Sequence, residues 1–101
     1  MTDALPPAAE LPPGLTSYRR TDLFTEVTVP AGLLKAHSTK PGTWGRIHVL
    51  EGRLRYRITD ERREPRERIL APEEPAGIVE PQILHEVAPL GSVRFYVEFF
   101  R

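Results

Sequence analysis

The chain has 101 residues, with 14 Lys plus Arg against 14 Asp plus Glu, so its formal charge is zero when the histidines are neutral. That length holds one small domain, and the charge balance gives no broad attraction to nucleic acid or to an anionic membrane surface. The absence of cysteine excludes a disulfide framework, a thiolate zinc site and a cysteine nucleophile, while eleven prolines and seven glycines argue against a helical bundle.

Residues 1–14 carry Pro6, Pro7, Pro12 and Pro13 among alanines and acids, and read as a polyproline-like, flexible N-terminal arm ahead of a domain over residues 15–101. The first residues lack a basic start followed by an apolar run, and no stretch approaches the roughly 20 apolar residues of a membrane span. A soluble cytoplasmic protein is therefore the default expectation. Phe24–Val29 alternates β-branched and polar residues until Pro30 and Gly32 turn the chain. Leu33–His37 reads as a second short strand, followed by a loop with Pro41 and Gly42.

Arg46–Leu50 is predicted to lead through a Glu51-Gly52 turn into Arg53–Ile58. In that second segment Leu54, Tyr56 and Ile58 share one face, and Arg53, Arg55 and Arg57 share the other as a solvated row. Thr59–Arg68 is a charge-dense hairpin connection with nothing to bury. Ile69-Leu70, Gly77–Val79 and Gln82–Val87 follow as short strands. The chain ends with Val93, Phe95, Val97 and Phe99 on one face, against Arg94, Tyr96, Glu98 and Phe100 on the other. No long helical period and no internal repeat occur. About eight short strands argue an all-β sandwich or small barrel.

The three histidines, His37, His48 and His85, are the only soft metal ligands in the chain. No serine lies in a nucleophile elbow, and no phosphate-cradling loop, zinc-knuckle spacing or nucleic-acid motif is present. Val49-Leu-Glu-Gly52 before an alternating strand, with Pro81 four residues ahead of His85, resembles the two halves of a cupin. The stretch His37-Ser-Thr-Lys-Pro-Gly-Thr-Trp-Gly45, together with Val79-Glu-Pro-Gln-Ile-Leu-His85, is similar to a narrower group. That group is the small cupin-like domain of YeaR-type proteins, found also at the N-terminus of TehB tellurite-resistance methyltransferases. The resemblance covers about Leu11 to Arg101.

This resemblance implies a single-domain cupin-like jelly-roll β-barrel in its stand-alone form, with no room for a methyltransferase. It implies a divalent metal ion (Zn, Fe, Ni or Mn) and/or a small-molecule or oxyanion ligand, with His37 and His85 either as metal ligands or as hydrogen-bonded histidines lining the barrel mouth. The general cupin pattern would place a second first-motif histidine near Thr39 and a glutamate near Gly45, and both are missing here. Two imidazoles alone are a poor zinc or iron site. His48 is the candidate third ligand; strict alternation from Gly45 turns it outward, and one bulge would turn it inward. Tyr56, Lys35 and Lys40 are candidate pocket residues, the lysines through attraction of an anion. A metal- or ligand-binding cupin of stress-associated type is the preferred function. The alternatives are a metal-dependent oxygenase or isomerase acting on a small organic substrate, and a non-catalytic dimerisation or interaction module. A homodimer is expected, with Phe24, Trp44 and Phe100 as apolar surface for a partner to cover.

Overall fold

The alternation that starts at Trp44 builds one long strand rather than two. In the computed structural model, which describes residues 4–101, the strands are β1 (Ser17–Arg20), β2 (Phe24–Thr25), β3 (Trp44–Ile58), β4 (Arg66–Leu70), β5 (Gly77–Val79) and β6 (His85–Phe100). About half of the chain, 49%, is strand and only 4% helix. β3 and β6 run antiparallel along their whole length, from Trp44 beside Phe100 to Ile58 beside His85. The expected Glu51-Gly52 turn is instead a bulge inside β3, because β6 is equally long and keeps pairing on either side of it. Gly52 has φ +76°, and a Cβ there would overlap the Ser92 carbonyl. Only glycine fits both constraints.

β1 and β2 pair with β6, and β4 and β5 with β3, giving one six-stranded antiparallel sheet in the order β1-β6-β3-β4. The fold is all-β as expected, but the sheet does not close into a barrel. Its free edges are blunted instead: β4 presents Arg66, Glu67 and Arg68, and β1 is only four exposed residues long. The inner face holds the core, in which Leu54, Leu70, Val93 and Phe95 are fully buried. Gly45, Ile47 and Val49 face inward before the bulge, and Leu54, Tyr56 and Ile58 after it. Outside, Arg55 and Arg57 share Glu67, at 3.7 and 3.0 Å.

Several expectations need correction. Leu33–His37 is not a strand, since Ala31–Leu34 forms a 3₁₀ turn after Pro30, where a fixed φ favours turning over extension. Phe100 is buried beneath the Arg46 guanidinium, 5.1 Å away, and Phe24 packs edge-on against Phe95 at 5.7 Å. Neither ring is free apolar surface. The charged hairpin does bury a group: Asp60 is 5% exposed and accepts bonds from the Arg62 side chain and from the Leu84 amide. Its carboxyl is held far below the usual carboxylate range, first by the Arg62 side chain and then by the Leu84 amide. Over its described part the proline-rich arm makes hydrogen bonds to the rest of the domain. The Leu5 amide donates to the Arg62 carbonyl, the Glu64 amide donates to the Leu5 carbonyl, and the Ala8 amide donates to Glu80. The arm's first three residues lie outside the described part.

Candidate functional site

Two proline-centred turns bring His37 and His85 together. In Lys40-Pro41-Gly42-Thr43 the Thr43 amide bonds back to the Lys40 carbonyl at 3.1 Å, and Gly42 has φ +78°. In Glu80-Pro81-Gln82-Ile83 the Ile83 amide reaches the Glu80 carbonyl at 3.4 Å, and Gln82 takes φ +63°. Proline second and a left-handed residue third is the pattern of a type II turn in both. The Gln82 amide then donates to the Thr39 carbonyl, lacing one loop to the other. His37 and His85 face each other across this seam and exchange both backbone bonds at 2.9 Å.

Their rings lie 4.1 Å apart between centroids, tilted by 58°. Each ring is pinned in the same way, by the carbonyl two residues before it. His37 Nδ1 meets the Lys35 carbonyl at 2.8 Å, and His85 Nδ1 meets the Ile83 carbonyl at 2.9 Å. A carbonyl oxygen only accepts, so both Nδ1 atoms must carry the proton. In the neutral rings each Nε2 is then a bare acceptor. No described side-chain polar atom is both buried and without a partner. His85 Nε2, which makes no bond among the described residues, therefore keeps some accessible surface, and the residue lines a cavity. Burial and, secondarily, the neighbouring His37 push His85 down to about 4, against the Ile83 carbonyl, so the ring is neutral at pH 7.

The histidines open onto a cavity of about 470 Å³. Its lining includes Phe24, Leu33, Ile47, Phe95, Val97 and Phe99, and among the described residues Arg19 and Lys40 are the Lys and Arg side chains that line it. Both cations are exposed and so mark the solvent side.

The remaining expected site residues are elsewhere. His48 is on the outer face of β3, stacked on Tyr96 and bonded through Nε2 to Glu98 at 2.9 Å. The bulge that was needed to turn it inward comes after it, at Val49–Leu54. Tyr56 is buried, but its hydroxyl donates to the Ile78 carbonyl at 2.7 Å and its ring only edges His85 at 5.7 Å. Burial pushes its phenol up. Lys35 contributes its carbonyl to His37 rather than its ammonium to the cavity. Of the two lysines, only Lys40 lines it. Arg19, which also lines the cavity, was missed. The aromatic wall was visible as the inward face of the last strand.

Residues 19–97 match the model of the TehB-like domain. The chain belongs to the TehB-like family. It is 36% identical over 79 residues to the probable S-adenosyl-L-methionine-dependent methyltransferase TehB of Haemophilus influenzae, matching 77% of this chain and 28% of that protein. The chain thus spans less than a third of this relative. The crystal structure of H. influenzae TehB superposes with a TM-score of 0.77 at 32% identity, covering 85% of this chain and 31% of that one. A protein from Escherichia coli K12 superposes with a TM-score of 0.81 at 24% identity, over 93% of this chain and 97% of its own. Hydroxypropylphosphonic acid epoxidase from S. wedmorenis gives 0.54 at 22% identity, over 85% and 43% respectively. These last two likenesses concern the fold.

The donor set of this TehB-like domain does not fit a resident three-ligand metal. No group of three or more His, Asp or Glu side chains converges among the described residues. At the glutamate position stands Gly45, where even a Cβ would press on Val79 at 3.1 Å. At the second histidine position stands Thr39, whose hydroxyl is committed to the Thr43 carbonyl at 2.7 Å. Two imidazole nitrogens remain, short of the three protein ligands zinc or iron ordinarily requires. No helix among the described residues is long and apolar enough to cross a membrane.

Proposed function

We propose that this TehB-like domain is a small-ligand-binding module of cupin type, and that its site is the His37–His85 cavity. The observation that carries the reading is the combination of apolar walls with two imidazoles locked in one tautomer. Such a cavity, of ordinary ligand-pocket size with a few convergent polar groups, is the usual form of a small-molecule site. Locked rings cost little further ordering when a ligand arrives. The family's association with tellurite resistance enters through Arg19 and Lys40, which among the described residues offer an oxyanion cationic contacts in the cavity wall. Because the donor set falls short of a metal centre, binding is proposed to be metal-independent.

The test is a fragment screen by amide NMR on full-length protein treated with a chelator. Hits should shift the amides of His37, Thr39, His85, Phe95 and Phe99 together. Hits confined to other surfaces, or binding that returns only after zinc, iron, nickel or manganese is added back, would overturn the proposal.

A further inference from the structure

The lone pairs on the imidazoles restrict what can occupy the cavity. Both Nδ1–H groups are spent on backbone carbonyls, so a ligand group lying against the neutral His85 ring must donate a hydrogen bond. A carboxylate or bare oxyanion placed against His85 would meet the lone pair of its Nε2, with no proton on that nitrogen to share. An ammonium would find no carboxylate among the described residues, since none of the Asp and Glu described lines the cavity. The cations Arg19 and Lys40 stand at the solvent side, and neither is ion-paired among the described residues. Phe24, Phe95, Val97 and Phe99 line the same cavity. Imidazole acceptors, apolar walls and cations thus line one cavity.

We infer that the ligand class is a small hydroxylated organic acid: a hydroxyl directed to His37 and His85 Nε2, an apolar body against the phenylalanines, and an anionic group toward Arg19 and Lys40. This rests on the cavity being the binding site, as proposed above, and adds the chemistry that it selects. The class differs from a simple inorganic oxyanion, which has no body to fill the apolar walls.

Three probes separate the parts: mandelate carries all of them, phenylacetate lacks the hydroxyl, and benzyl alcohol lacks the carboxylate. Calorimetric or NMR titration of chelator-treated protein at pH 7 should give mandelate roughly tenfold tighter binding than either of the others. The surface double variant Arg19→Ala/Lys40→Ala should weaken mandelate and phenylacetate by roughly threefold to tenfold and leave benzyl alcohol unchanged. His37→Ala should bring the mandelate-to-phenylacetate ratio close to one. If His37→Ala fails to fold, the wild-type ratio and the surface variant still decide. Equal affinity for all three probes, no binding by any of them while other fragments map to the cavity, or a preference for benzylamine would each overturn the ligand class and leave the cavity reading standing. Fragments that avoid the cavity altogether would overturn the cavity reading itself.

Discussion

Neutral His85 should make the folded state acid-sensitive well above the carboxylate range. The ring is 4% exposed, and its folded value falls from an ordinary 6.5 to about 4, mainly through burial. At pH 8 both the folded and unfolded chains hold it neutral. As the pH drops through 6.5 the unfolded chain takes up a proton, while the folded protein does not until about 4. The unfolded state then binds more protons, so stability must fall with pH in this window and level off below about 4 as far as this group is concerned. Between about pH 8 and pH 5 the loss comes to about 2 kcal/mol for the single ring. Urea unfolding at several pH values, for wild type and His85→Gln, isolates the effect, because the other titrating groups are common to both. The wild type should lose about 2 kcal/mol more than the variant over that span. Identical pH slopes would refute the claim that the ring is buried neutral, and with it the acceptor role of its Nε2.

Gly52→Ala should destabilise by at least about 3 kcal/mol, since left-handed backbone strain adds to backbone overlap. Gly42→Ala, with φ +78° but open space around it, should cost only about 1–2 kcal/mol; equal losses in denaturant melts would remove the bulge argument. Glu80 accepts from both the Ala8 amide and the Arg63 guanidinium, so Glu80→Ala should release the proline-rich arm. Hydrogen exchange at the Ala8 amide should then accelerate by roughly tenfold, and an unchanged rate would mean that something else holds the arm.

Period-two patterning made most of the sheet legible, since inward Ile47, Leu54, Tyr56, Phe95 and Val97 could be picked by alternation alone. It could not reveal that Glu51-Gly52 is a bulge. A positive-φ glycine serves a hairpin turn and a bulge equally well, and only the equal length of the partner strand decides between them. Nor could it show the burial of Asp60, because a charged run gives no sign that one carboxylate will be capped by Arg62 and a distant amide. His37 and His85 were identified from their motifs, but their tautomer depends on carbonyls two residues upstream, a backbone detail that no side-chain pattern encodes. The side occupied by His48 followed from alternation once the bulge proved to come after it.

The most direct test of the central claim is a long-range ¹H–¹⁵N correlation spectrum of the histidine rings in the free protein at pH 7. Both His37 and His85 should show a protonated Nδ1, His85 should show an unprotonated Nε2, and both Nε2 signals should move when mandelate is added. An Nε2–H tautomer at either ring, or Nε2 signals indifferent to every ligand that binds, would contradict that claim.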